Sequence, residues 1–314
     1  MSDVKDSTNG VVRMENASYD LGVIRWLEKF VRLVLTRPLI LTSTFIIVVI
    51  ISLSILADLI SPYDPLVQDI SNRLESPGKT FFLGTDHFGR DVFSRIIHGS
   101  QSSLYIAISA VTIGTLLGTA IGIISSYRGG LVDLISQRMI DTLLGFPSLV
   151  LAIILIVTLG RTSNVITIAI AVALIPQFVR LARSRTLSIR EESFVLAAQA
   201  NGASPLRIIF KHILPHSIGP IISYAMGYVS VALVAESALS YLGFGVPPPS
   251  PSWGGMLHEG LAYLEIAPWI TIFPGFILSL TALSFSLLGD ALRDMLDPRG
   301  SLSPALQETL ASEL

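Results

Sequence analysis

Residues Ile189–Pro215 read IREESFVLAAQANGASPLRIIFKHILP, a charged island in a chain that is otherwise mostly apolar. Two short helices are legible in it. The spacing predicts the first over about Ser188 to Ala200, carrying Phe194 and the small residues Ala197, Ala198 and Ala200. Asn201 and Gly202 end it, because both tolerate the left-handed backbone that closes a helix. Ser204 is a natural N-cap, and Pro205 stands where the first helical residue can lack an N–H. The second helix then sets Leu206, Ile208, Ile209 and Ile213 on one side, with Arg207, Lys211 and His212 on the other. A helix–glycine–helix knob with small residues offers a compact surface for another protein to grip. The plainer alternative is an ordinary helix in a loop between two spans.

Around this island, 51% of the 314 residues are hydrophobic and 14% are charged, and the mean hydropathy is +0.67. Soluble domains carry about 25% charged residues, so the composition is that of a membrane protein. A net charge of −2 leaves no basic field for nucleic acid. The absence of cysteine removes disulfides, thiolate metal sites and cysteine nucleophiles together. No HExxH or GxSxG pattern is present and the five histidines are scattered, so nothing supports an intramembrane enzyme.

A membrane span needs about 20 apolar residues. Six windows qualify, at about 39–60, 103–125, 143–160, 164–182, 218–240 and 267–289. Only Arg161 to Ser163 separates the third from the fourth, a tight hairpin. Residues 1 to about 20 are polar and expected to be disordered. Leu21–Thr36 reads as an amphipathic helix lying on the membrane, with Ile24, Leu27, Val31 and Val34 against Arg25, Lys29 and Arg32. No signal-peptide cleavage pattern precedes the first span, which is therefore expected to stay as an anchor. With both termini inside, the inner segments hold 16 of the 21 Lys and Arg residues and the outer segments hold 5. That bias places the island in the cytoplasm.

Gly114, Gly118 and Gly122 recur every fourth residue in the second window, a spacing that lets two membrane helices approach closely. The outer loop over 61–102 holds SPYDP (Ser61–Pro65) and then LGTDHFGRDVFSR (Leu83–Arg95). Asp86 and His87 invite a metal reading, but adjacent ligands do not easily face one ion, and His98 is at no recognisable ligand spacing. Turn-forming and N-capping roles fit them better. Gly78-Lys79-Thr80 ends like a phosphate-binding loop, yet position 73, where that loop needs glycine, is Arg; ATP binding by this chain is rejected. After the fifth window comes LGFGVPPPSPSWGG (Leu242–Gly255), whose three consecutive prolines are expected to hold an extended, stiff path. Glu236 is the one carboxylate well inside a window, about one turn from its outer end. Ionisable groups in membranes are costly to isolate and often functional. Two readings stand side by side: a helix-end residue wetted by water or headgroups, and a group facing a pathway through the membrane.

In the island, two alanines (Ala197, Ala198), a glycine four residues later (Gly202) and then Ile213-Leu214-Pro215 resemble the cytoplasmic loop of permease subunits of binding-protein-dependent ABC importers. The run LGTDHFGRDVFSR looks like the first outer loop of that family's dipeptide/oligopeptide branch. Leu242–Gly255 and LLGDALRDMLDPR (Leu287–Arg299) look like the C-terminal half of such permeases. The resemblance covers about Arg37 to Arg299. It implies an all-α integral membrane protein with six transmembrane helices in the type I ABC importer permease fold. The organisation expected is a cytoplasmic tail and interfacial helix over 1–38, a permease domain over 39–299 with its coupling loop at 183–217, and a tail over 300–314. The function implied is one half of a pathway importing short peptides, placed in a bacterial or archaeal plasma membrane. Its implied partners are a second homologous permease, two ATP-binding subunits, an extracytoplasmic substrate-binding protein, the peptide substrate and membrane lipid. The ATPase chemistry then lies in the partners, and no catalytic, cofactor-binding or metal-ligating residue is expected here. Glu191, Glu192, Leu196, Ala197, Ala198, Gly202, Ser204 and Pro205 are the residues it implies for coupling to the ATPase. The family's Glu before the two alanines is replaced by Leu196, with Glu191 and Glu192 about one turn upstream. Glu236 is the one candidate pathway residue. Permeases of similar architecture also carry glutathione, nickel chelates or sugars, a choice that rests mostly with the binding protein. An ion-driven secondary transporter would place paired charges or broken helices near the midplane, where this chain offers only the off-centre Glu236.

Overall fold

Proline sets the first helix: Arg37 is extended, Pro38 takes the first helical position, and α1 runs Pro38–Ile55. The computed structural model describes residues 37–296. The amphipathic helix expected over Leu21–Thr36 and both tails lie outside them. The remaining main helices are α2 (Val92–Arg128), α3 (Gly130–Leu144), α4 (Ser148–Leu159), α5 (Ser163–Arg190), α6 (Ser193–Ala200), α7 (Pro205–Tyr241), α8 (Trp253–Gly260) and α9 (Trp269–Leu296). Among the described residues the only β pairing is an isolated bridge between Thr85 and Asp91. The protein is therefore all-α.

Five helices (α1, α2, α5, α7 and α9) are long and apolar enough to cross a membrane, and the bent pair α3–α4 makes a sixth crossing if taken as one span. That pair departs from the straight window expected at 143–160. It bends by 88°, and α4 alone, at about 1.5 Å per residue, rises only about 18 Å. The cause is Pro147, which immediately precedes α4 and cannot continue α3 because it lacks the N–H and its ring meets the preceding turn. A second difference lies outside. Residues 92–102, expected in the outer loop, form the first turns of α2, whose 37 residues outrun the apolar stretch.

The largest helix interface joins α2 to α5, and the glycine stripe explains it. A Cβ on Gly118 would lie 2.6 Å from Phe178 Cβ, and one on Gly122 would lie 2.6 Å from the Val179 carbonyl oxygen. Only bare backbone permits that approach. Ile106 and Ala110 of α2, Ile166 and Phe178 of α5, and Leu233 of α7 form the centre of the core. α9 packs along α7, where Gly289 sits directly on Gly227. Large apolar residues such as Leu116 and Leu283 remain exposed, as expected of surfaces that face lipid rather than water.

Candidate functional site

The knob, on the side that the Lys and Arg bias assigns to the inside, is built by local chemistry. α5 runs on to Arg190, then breaks at Glu191-Glu192, so the first short helix begins at Ser193 and not at Ser188 as the sequence suggested. The break lets α6 fold back far enough for Val195 to be fully buried beside Ile123, Ala182, Ile208 and Ile213. At the other end, Gly202 adopts φ +74°. Its N–H donates to the Gln199 carbonyl (2.9 Å) and the Ala203 N–H to that of Ala198 (3.0 Å), the Schellman closure. Ser204 Oγ then accepts the Arg207 N–H and starts the next helix at Pro205. That helix is not short: it continues through a π-helical turn, Ile209–Ile213, into the whole of α7.

The knob thus has an anchored side and an open side. Val195, Ile208 and Ile213 seat it on the inner ends of α2 and α5. Leu196 (51% exposed), Leu206 (67%) and Phe210 (65%) look outward, and Glu191, Glu192, Ala197, Gly202, Ser204 and Pro205 are exposed with them. Ala198 is half-buried. Nearby, Arg183 grips Asp133 through Nε and Nη2 at 2.7–3.2 Å, and Arg180 reaches Asp141 at 2.9 Å, so α3 is tied to the inner end of α5.

The outer face carries a different construction. Asp86 Oδ1 accepts the N–H groups of Phe88 (2.8 Å) and Arg90 (3.0 Å), which turns the chain back on itself. Its Oδ2 takes Arg90 Nε at 2.6 Å and lies 3.4 Å from Arg95 Nε. Glu259 Oε2, arriving on α8, accepts from Arg90 at 2.8 Å and from Arg95 at 3.1 Å. Gly89 has φ +74°, and a Cβ there would strike the Asp69 carbonyl. Asp91 caps α2 through the Ser94 N–H, and Trp269 Nε1 donates to the Thr85 carbonyl. Asp86, His87 and Glu259 bring ligand-type atoms within 4.8 Å of one another. Both carboxylates are already held by guanidinium groups, however, which also repel a cation. His87 stacks on Tyr263 with centroids 5.1 Å apart, and burial holds its imidazole below the usual value.

Glu236 sits behind this construction with 0% of its surface exposed. Ser240 Oγ donates to Oε1 at 2.8 Å and Ser237 Oγ to Oε2 at 3.3 Å, both from its own helix. The reading that water or headgroups wet this carboxylate is overturned, because α8 folds back over it. Nor does the stretch before α8 stay extended: the chain turns at residues 248–249, within the proline run. Trp253, fully buried, donates from its backbone to Ser103 Oγ (3.2 Å) and from Nε1 to the Ile96 carbonyl (3.0 Å). Sequence reasoning passed over Ser103, Ser252, Trp253 and Glu259. Only Ser252 had a local signal, as an N-cap before a helix, and it accepts the Gly255 N–H at 3.1 Å.

Comparison with known proteins adds to this geometry. Residues 114–301 match the family described as "Binding-protein-dependent transport system inner membrane component". Residues 27–77 match "N-terminal TM domain of oligopeptide transport permease C". A dipeptide transport system permease protein of Alkalihalophilus pseudofirmus is 41% identical over 278 residues, 88% of this chain and 91% of that one. A glutathione transport system permease protein of Pectobacterium atrosepticum is 36% identical over 275 residues, 87% of this chain and 91% of the other. Among solved structures, an inward-facing MetNI methionine ABC transporter chain is similar at TM-score 0.55 and 15% identity, over 65% of this chain and 96% of that one. That similarity speaks for the fold alone.

Proposed function

Because the chain belongs to the binding-protein-dependent transport permeases, in their dipeptide/oligopeptide branch, we propose that it forms half of the translocation pathway of an ATP-driven importer of short peptides. A second, homologous permease supplies the other half. Two ATP-binding subunits dock from the cytoplasm, an extracytoplasmic binding protein delivers peptide, and the assembly sits in the plasma membrane, the inner one in a Gram-negative cell. The permease domain over 39–299 binds no nucleotide itself; ATP hydrolysis belongs to the partners.

The observation that carries the reading is the knob: an apolar outward face on a base held by buried Val195, Ile208 and Ile213. Glu191, Glu192, Leu196, Ala197, Ala198, Gly202, Ser204 and Pro205 meet the ATPase groove in this reading. Ala and Gly let the groove close tightly, and Leu196 makes an apolar contact where the family more often has a carboxylate. A knob continuous with α7 and seated on α2 and α5 passes a push from the ATPases straight into three spans, switching the pathway between inward- and outward-facing states. Glutathione is the second substrate reading, supported by relatives so described at 36–38% identity.

The test is uptake of a labelled dipeptide together with ATP hydrolysis, in proteoliposomes holding the permease pair and its ATPases, with binding protein added. Ala198→Arg and Gly202→Val should leave the chain in the membrane while abolishing uptake. A Cβ at Gly202 meets nothing within 4 Å, so valine there acts through its left-handed backbone, at a cost of about 1–2 kcal/mol. Normal uptake by both variants at matched protein levels would falsify the coupling assignment.

A further inference from the structure

We infer that a pocket between the α4–α5 turn and α8 is a subsite for the carboxylate end of a short peptide, with Arg161 as the group that meets it. Its wall carries Arg95, Arg161, Ser240, Ser250, Ser252 and Glu259. α5 begins at Ser163, just past Arg161, and ends at Arg190 beside the knob, so pocket and knob lie at opposite ends of that span. The pocket's volume is about 230 Å³. Pockets for drug-sized ligands run to about 300–1,000 Å³, so this one suits the end of a peptide and not a long chain.

The charges leave one guanidinium over. Arg95 is only 1% exposed, and Glu259 Oε2 accepts from it at 3.1 Å and from Arg90 at 2.8 Å. Asp86 pairs with the same two arginines, so behind the pocket two carboxylates match two guanidinium groups. Arg161 is exposed and forms no ion pair among the described residues. The charged lining is therefore two arginines and one glutamate, one positive charge in excess. Glu259 does not turn an anion away, because its charge is already shared between Arg90 and Arg95. A carboxylate presents two oxygens that match the guanidinium fork.

The backbone under Arg161 is set on both sides. Gly160 closes α4 at φ +97°, and Thr162 caps α5 by accepting the Val165 N–H at 3.3 Å. Neither cap uses the Arg161 side chain, so changing it leaves the turn in place.

Since the chain has no cysteine, Ser250→Cys gives a single reporter on the pocket wall. Ser76→Cys, exposed in the loop but outside the pocket's lining, gives a control. In the purified complex in nonionic detergent, labelling by a neutral maleimide is read on this chain's band after electrophoresis. Alanylalanine should slow the labelling of Ser250→Cys in a saturable way and leave Ser76→Cys unchanged. Alanylalanine amide should need about tenfold more for half the effect, the factor set by one charge-assisted hydrogen bond. Arg161→Gln should raise the half-protecting concentration of alanylalanine by about the same tenfold, whereas Arg161→Lys, which keeps the charge, should retain most of the protection. Equal protection by acid and amide overturns the inference, as does protection unchanged in Arg161→Gln. So does a loss in the Lys variant as large as in the Gln variant, equal slowing at Ser76→Cys, or no protection at all.

Service of this pocket in import rests on the importer reading, and a second arm separates the two. Uptake of labelled alanylalanine, delivered by the binding protein, should fall severalfold in Arg161→Gln at matched protein levels and return in Arg161→Lys. Undiminished uptake in Arg161→Gln overturns the inference. A parent complex that carries no dipeptide counts against the importer reading only, with the labelling rates still judging the pocket.

Discussion

Asp86→Asn removes one charge from a buried cluster of two arginines and two carboxylates while keeping its shape. The Asn carbonyl can still accept the Phe88 and Arg90 N–H groups that Asp86 Oδ1 holds at 2.8 and 3.0 Å, so the turn survives. What goes is the pairing of Oδ2 with Arg90 at 2.6 Å and Arg95 at 3.4 Å. Both guanidinium groups, only 2–3% exposed, are then left to share Glu259. Removing one partner from a buried ion pair costs about 3–5 kcal/mol. Glu259 is 24% exposed and keeps its two bonds, which points to the lower end, about 3 kcal/mol.

That magnitude is a local opening free energy and is best read locally. Peptides spanning residues 84–96 should exchange their amide hydrogens about a hundredfold faster in Asp86→Asn than in the parent complex, with those over 163–182 unaffected. The charge argument is then tested by restoring neutrality. Arg90→Met added to Asp86→Asn leaves one arginine with one carboxylate, and should recover at least about 1.5 kcal/mol relative to the sum of the single changes. Unchanged exchange in Asp86→Asn, or a double variant no better than additive, would refute the view that charge balance holds this loop.

At the α2–α5 interface, Gly118→Ala puts a methyl group 2.6 Å from Phe178 Cβ and 2.9 Å from the Ile175 carbonyl oxygen. It should destabilise by about 1–3 kcal/mol, seen as a lower melting temperature in detergent, whereas Leu116→Ala on the exposed face should stay within about 0.5 kcal/mol. Topology is checked by reporter fusions at Ser71 and Pro248, expected outside, and at Ser204, expected inside. A cytoplasmic signal at Pro248 would overturn the orientation.

Features set by neighbours in the chain were legible beforehand. The end of α6 at Asn201-Gly202 and the start of α7 at Ser204-Pro205 depend on caps, and caps are chosen by residues within one turn. The glycine stripe likewise announced a close approach, though not that its partner is α5. The broken third crossing was missed for a specific reason. Averaging hydropathy across residues 143–160 passes straight over Gly145-Phe146-Pro147, where the backbone and not the polarity decides the path. The outer turns of α2 were missed because Arg95 and His98 look like loop residues until Glu259 and Asp58 supply their partners.

Glu236 shows the same limit from the other side. A linear reading measures how far a residue lies along its helix, and on that scale Glu236 is near the water. It cannot see that α8 returns across the helix end and encloses the carboxylate. The contacts that hold α8 there join residues far apart in the chain: Trp253 N–H to Ser103 Oγ across 150 positions, and Arg95 and Arg90 to Glu259 across 164 and 169. These long-range contacts make the two ends of the molecule unlike. Outside, buried charges and hydroxyls lock α8, the loop and α2 together, leaving few groups unsatisfied if that unit moves as a whole. Inside, the knob leaves Leu196, Leu206 and Phe210 uncovered while its base is packed. In the importer proposed above, a body stiff at the loop end and open at the knob would pass a push on the knob along the spans without absorbing it in the loop. On that view the bending belongs between them, in the spans that carry internal prolines: α5 at Pro176, α7 at Pro220 and α9 at Pro274.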